Sequence, residues 1–206
     1  MPNLAAMRRE QILTAATRVF ARVGYRCADL QDVADDLGVG KGTLYRYFPT
    51  KEALFTAAVD RVMVGMRGTI DEAISGTADE LAVIRAAVRA YLGYFDRHPE
   101  FVELLIQERA EFRDRKKSSY FTHREANIER WREFYSGLIA AGTMRNIPVD
   151  RITEVMSNAI YGAMFTNYFG GRRKALVDQA DDILDVLFHG LLAGPEKRRP
   201  GKGGRS

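Results

Sequence analysis

Apolar residues recur three and four positions apart along nearly the whole chain, and the two-residue alternation of a half-buried strand is almost absent. That periodicity restricts the fold to packed amphipathic helices. Ile12, Leu13, Ala16, Val19, Phe20 and Val23 mark a first helix that Gly24 ends. Asp29 can cap a second, which carries Leu30, Val33, Ala34 and Leu37 on one face and stops at Gly38. A short third helix spans about residues 41–47. Pro49 breaks it, and Thr50 can cap a long fourth helix whose apolar stripe runs from Leu54 to Ile74. Breaks near residues 75–79, at His98-Pro99, in the polar run 113–119, at Gly142 to Pro148 and at Gly170-Gly171 separate five more helices. The expected fold is all-α, with about nine helices and short connections.

With 46% of its 206 residues apolar, the chain can bury a sizeable core. No apolar run reaches the ~18 residues of a membrane span. Arg8 and Arg9 lead into a periodic segment rather than a signal peptide. Cys27 is the single cysteine, which excludes an internal disulfide and a Cys-based zinc site. A cytoplasmic protein with no membrane partner is expected. His98, His123 and His189 are scattered, and no Ser/His/Asp or paired-carboxylate spacing stands out. No catalytic residue, metal or cofactor is therefore expected. The net charge of +4 misleads: the last thirteen residues hold five basic side chains against Glu196, so residues 1–193 sum to zero. The Gly, Pro, Lys and Arg content of residues 194–206 reads as a basic disordered tail.

The segment "VGKGTLYRYFPTKEALF", residues 39–55, invites comparison with a phosphate-binding loop. Such a loop needs G-x-x-x-x-G-K-[ST] after a strand. Here position 35 is Asp, Gly42 follows Lys41, and the preceding residues are helical in pattern. A helix-turn-helix fits better. Ala34 is small where a second helix would cross, Gly38 tolerates a positive φ in the turn, and Val39 can lock the two helices. On the second helix Leu44, Tyr45 and Phe48 can pack inward. Thr43, Arg46 and Tyr47 point out, with Lys41 at the exposed start. A short helix with small residues and donors at its beginning suits a major groove.

Residues 8–62 resemble the DNA-binding domain of the TetR (tetracycline repressor) family of bacterial transcription regulators. "ILTAATRVFARVGY", "LQDVADDLGVGKGTLYRYFPTKEALF" and the long helix that follows carry the resemblance. It implies that Lys41, Gly42 and Thr43 face bases, that Tyr47 bonds a phosphate through its hydroxyl, and that Lys51 meets a phosphate by charge. Arg46 would reach solvent or the DNA backbone. Leu44, Tyr45 and Phe48 would be core. Three positions depart from the family's pattern: Ala28 and Asp29 replace hydroxyl residues, and Gly40 replaces a frequent Ser. Asp29 can cap a helix, but its charge repels a phosphate.

The resemblance further implies a helix-turn-helix domain over residues 1–50 and a ligand-binding and dimerisation domain over 51–193. The partners would be an operator duplex, a small lipophilic or aromatic effector, and a second copy of the chain. Tyr91, Phe95, Trp131, Phe134, Tyr135, Tyr161 and Phe165 are candidate effector contacts, since aromatics concentrate between Tyr91 and Phe169 and i, i+4 pairs can face one cavity. The last two helices carry small residues, Ala159, Gly162 and Ala163, opposite Leu184, Leu187, Phe188 and Leu191, suited to a homodimer interface. Such a dimer would set two recognition helices about 34 Å apart on a palindromic operator. The expected function is a sequence-specific regulator, a repressor released by its effector. Two alternatives stay open: a ligand-binding or enzymatic bundle whose helix-turn-helix is not functional, and an architectural nucleic-acid binder acting through the tail.

Overall fold

Nine helices and no strand make up the described part of the chain, which in this computed structural model comprises residues 4–171 and 174–191. The basic segment 194–206 lies outside the described residues. In chain order the helices are α1 Leu4–Cys27, α2 Leu30–Leu37, α3 Lys41–Tyr47, α4 Lys51–Ile74, α5 Glu80–Arg97, α6 Pro99–Glu111, α7 Ser119–Ala140, α8 Val149–Phe169 and α9 Leu176–His189.

The expected punctuation holds for local reasons. Gly24 sits at φ 82°, so α1 breaks there and one further turn carries it to Cys27. The carboxylate of Asp29 accepts the N–H of Gln31, and Asp32 returns the favour to the N–H of Asp29, which closes a capping box. Gly38 is left-handed at φ 64°, and its N–H reaches the carbonyls of Ala34 and Asp35. Thr50 caps α4 through the N–H of Ala53. Pro99 occupies the first turn of α6, where its missing N–H has no helical partner to lose.

Helix α7 starts differently. Ser118 makes no side-chain cap. Instead Glu108 of α6, almost wholly buried, accepts the N–H of Ser119 at 3.1 Å and its hydroxyl at 2.6 Å. Arg115, in the connection before α7, reaches Glu108, and also Glu52 and Thr56 near the start of α4. One buried carboxylate thus ties the beginning of α7 to the beginning of α4.

The core runs without a break across residue 50. Phe20 of α1 meets Phe55 of α4 edge-on at 5.1 Å, and Tyr25 and Phe112 complete the cluster. Helix α5 is the central strut. It packs on α4, α6, α8 and α9 and buries Ile84, Val88, Tyr91, Leu92 and Phe95. At 24 residues and ~1.5 Å per residue, α4 is about 36 Å long. Its first turns belong to the α1–α3 unit, and its later turns line the interior of the C-terminal helices. Among the described residues no helix is long and apolar enough to cross a membrane.

Candidate nucleic-acid interface and internal cavity

Helices α2 and α3 meet at the Gly38 turn, where the N–H of Val39 donates to the carbonyl of Ala34 at 3.0 Å. Leu44 and Phe48, one turn apart, are buried and anchor α3 to the core. That leaves Gly42, Tyr45 and Arg46 exposed, with Lys41, Thr43 and Tyr47 half-buried beside them. Tyr45 corrects the expectation that it is core. It is 48% exposed because one residue past Leu44 rotates it ~100° out of the packed face. Tyr47 packs its ring on the core edge under the Arg46 guanidinium, 5.4 Å from the ring centre.

Both lysines of the expected interface are engaged within the chain. Lys41 Nζ pairs with Asp29, and this hydrogen bond raises the lysine's pKa. The Asp29 carboxyl is held below its ordinary value, first by the Gln31 N–H and then by Lys41. Lys51 donates to the carbonyls of Arg26 and Ala28 at 3.1 and 2.9 Å and lies over the Tyr25 ring. It closes the end of α1 from the start of α4. One donor of its ammonium group is left for a further partner. Gly40 caps α3 without a side chain, so α3 has no side-chain cap.

A cavity of about 140 Å³ lies between α4, α5, α7 and α8. Its walls are mostly apolar: Met63, Met66 and Ile70 from α4, Ile84 and Val88 from α5, Ile128 from α7, Met156 and Ile160 from α8. Three expected residues line it, namely Tyr91, Trp131 and Tyr135. Four do not. Phe95 is fully buried one turn beyond Tyr91, packed on Tyr91 and Tyr94. Phe134 faces a shallow neighbouring cleft with Trp131, Ile74 and Val83. Tyr161 meets Tyr120 in a tilted contact at 4.5 Å, and Phe165 meets Tyr161 edge-on at 4.7 Å, so both lie in a second row. Helix α8 turns Thr153, Met156, Ser157 and Ile160 to the cavity, and this register carries Tyr161 and Phe165 aside.

Sequence reasoning missed Tyr120, His123, Arg124 and Asn127. The signal was present as a ladder of steps of four and three on α7, from Tyr120 through Arg124 and Ile128 to Trp131 and Tyr135. The Tyr91 and Tyr120 hydroxyls hydrogen-bond each other at 3.0 Å, and Tyr91 also donates to Met164 Sδ. Burial pushes Tyr91 well above the ordinary phenol value and Tyr120 and Tyr135 up to about 12, so these rings stay neutral. His123 joins α7 to α4 through Asp60 at 2.6 Å.

The expected dimer face needs one correction. Leu184 is fully buried within the subunit. The apolar side chains that α8 and α9 leave exposed are Val155, Phe169 and Val186. Asn167 is buried and donates to the carbonyl of Lys174, closing the α8–α9 turn.

Residues 12–58 match the family model described as bacterial regulatory proteins, tetR family. The chain is 32% identical over 100 residues to the HTH-type transcriptional activator FasR of Mycolicibacterium smegmatis, covering 48% of this chain and 46% of that one. It is 27% identical over 135 residues to the HTH-type transcriptional repressor KstR2 of Rhodococcus jostii, covering 66% and 65%. The matches span between 36% and 54% of the length of FasR and of two Bacillus subtilis HTH-type regulators, YerO and YhgD. Among solved structures, the fatty acid degradation regulator FadR from Bacillus halodurans superposes with a TM-score of 0.78 at 16% identity, over 89% of this chain and 95% of that one. FadR from Bacillus subtilis, solved in complex with stearoyl-CoA, superposes with a TM-score of 0.73 at 18% identity, over 89% and 99%. The helix-turn-helix of α2 and α3, its core against α1 and α4, and the family match over these same helices agree: residues 12–58 are similar to the helix-turn-helix domain of the bacterial regulatory proteins of the tetR family.

Proposed function

We propose that this protein is a sequence-specific transcription regulator, a repressor that leaves its operator when a small apolar-bodied effector enters the cavity between α4, α5, α7 and α8. In this reading residues 1–50 hold the DNA-binding domain and residues 51–193 the effector and dimerisation domain. The observation that carries it is α4 itself. One unbroken helix packs Leu54 and Phe55 into the helix-turn-helix core and presents Met63, Met66 and Ile70 to the cavity. An occupant that displaces the α4 wall moves the recognition helix with it. To act, it must prefer the spacing that does not fit DNA; ~3 kcal/mol of coupling changes operator affinity more than 100-fold.

Thr43, Arg46 and Tyr47 on α3 are the residues that would contact DNA, with Lys41 and Gly42 at its start and Lys51 beside them. The exposure of Gly42 and Arg46, and a Tyr47 hydroxyl without a hydrogen-bond partner among the described residues, support this. A homodimer through α8 and α9 would bring two such helices to successive turns of one face of the duplex. A protein acting on chromosomal DNA would work in the cytoplasm. The stearoyl-CoA held by FadR from Bacillus subtilis makes acyl compounds one class to test here. Footprinting on a bound duplex tests the reading. Protection of two half-sites about one helical turn apart, lost in a Thr43→Ala/Arg46→Ala variant, is the expected result. Protection with no symmetry, unchanged in that variant, would contradict it.

A second reading has a specific observation behind it. Asp29 holds Lys41, Lys51 holds two carbonyls, and Gly40 offers no hydroxyl, so the DNA face is weakly equipped for phosphates. A ligand-binding bundle with an inactive helix-turn-helix would look the same there. Absent DNA binding in a folded protein that still binds ligand would favour it.

A further inference from the structure

Arg124 stands out among the charged groups around the cavity. Arg67 and Arg130 share the carboxylate of Asp71, and His123 is paired with Asp60. Arg124 lies on the inward face of α7, one turn from Tyr120 and one turn from Ile128, and lines the cavity half-buried. It makes no ion pair or hydrogen bond among the described residues. A guanidinium beside an apolar wall loses part of its hydration, and no carboxylate among the described residues pairs with it to offset that loss. The three arginines of the lining face a single aspartate, so the cavity holds excess positive charge.

The volume limits what the apolar part can hold. A cavity of ~150 Å³ lined by aliphatic and aromatic side chains takes up benzene, and this one measures about 140 Å³. We propose that the cavity binds a compact organic anion, with a body about the size of one six-carbon ring between Met63, Ile84, Val88, Met156 and Ile160, and a carboxylate on the Arg124 guanidinium. Charge-assisted, bidentate pairing of carboxylate with arginine supplies the orientation. This inference rests on reading the cavity as the effector site, and it narrows the effector from lipophilic compounds in general to small aromatic or branched acids.

Trp131 lines the cavity and is the single tryptophan of the chain, so its fluorescence reports occupancy. The probes are phenylacetate and its uncharged counterpart phenylacetamide, titrated into the wild-type full chain, Arg124→Gln and Arg124→Lys. Stearoyl-CoA is titrated in parallel. Phenylacetate should bind roughly tenfold or more tighter than the amide. Arg124→Gln should erase that preference, and Arg124→Lys should keep part of it. Circular dichroism melts of the variants show that the fold persists. Equal affinity for acid and amide overturns the proposal, as does binding of neither. Tight stearoyl-CoA binding that Arg124→Gln leaves unchanged also overturns it. Operator binding is measured on the same preparations: its absence in the wild type would sink the regulator reading and leave the ligand result standing on its own.

Discussion

Lys41 and Asp29 are joined across the helix-turn-helix, with Nζ 2.5 Å from Oδ1, and that same carboxylate oxygen accepts the Gln31 N–H at 2.7 Å. One acidic side chain therefore starts α2 and restrains the first residue of α3. In the proposed DNA complex a phosphate approaching this corner would meet a carboxylate, and Lys41 would have to leave Asp29 to reach a base or a phosphate. Asp29→Asn keeps a good helix cap and removes the charge. DNA affinity should rise several-fold at low salt, for operator and random duplex alike, and the salt slope should steepen by about one. Fluorescence anisotropy at several salt concentrations measures both. A loss of affinity would mean that Asp29 instead holds Lys41 in its reading position.

The same pair carries a pH dependence. The Asp29 carboxyl titrates below its ordinary value of 3.8 in the folded chain, through the Gln31 N–H first and Lys41 second. A carboxyl with a depressed folded pKa stabilises the fold above its unfolded pKa and loses that contribution as pH falls through the folded value. The melting-temperature difference between wild type and Asp29→Asn should therefore be flat from pH 8 to about 5 and shrink below about 4. A difference that grows on acidification would contradict the pairing.

Gly65 sits where α4 crosses α5. A Cβ there would lie 2.6 Å from the Tyr94 hydroxyl, which donates to the Val62 carbonyl at 3.0 Å. Tyr94 is buried, so its hydroxyl has little room to yield. Overpacking costs ~1–3 kcal/mol, against a helix-propensity gain of ~1 kcal/mol for Gly to Ala. Gly65→Ala alone should destabilise by about 1 kcal/mol. In a Tyr94→Phe background the clash is gone, because the next ring atom is 3.5 Å away, and the same substitution should become stabilising. Denaturant unfolding of the four proteins decides this; the same sign in both backgrounds would refute it.

Glu108 holds the start of α7 from within the core. Glu108→Ala leaves the Ser119 N–H and hydroxyl without their acceptor and removes one partner of Arg115. The expected loss of stability is roughly 2–4 kcal/mol. The start of α7 should also exchange its amide hydrogens faster. A loss under ~1 kcal/mol would show that another group caps α7 equally well.

Much of the fold was legible because its punctuation is local. Asp29, Gly38, Thr50 and Pro99 act within a few residues of their own position, and the helices between them are long enough to show a period. Tyr45 was not legible, since two turns of helix give too few positions to separate the packed face from its neighbour. The hold of Lys51 on the end of α1 was not legible, because its partners are backbone carbonyls of Arg26 and Ala28, which carry no sequence signature. In the cavity, Trp131 and Tyr135 were found by spacing, but Phe95, Tyr161 and Phe165 depend on how far α5 and α8 slide and rotate against α4. Arg124 was passed over because a lone charge reads as solvated until its surroundings are known.

Selection of DNA sites from a random pool by the purified full chain, at two salt concentrations, tests the central claim most directly. The expected result is enrichment of an inverted repeat whose affinity falls steeply with salt. Failure to enrich any motif, from a folded protein that dimerises, would contradict the account and leave the cavity between α4, α5, α7 and α8 as the seat of function.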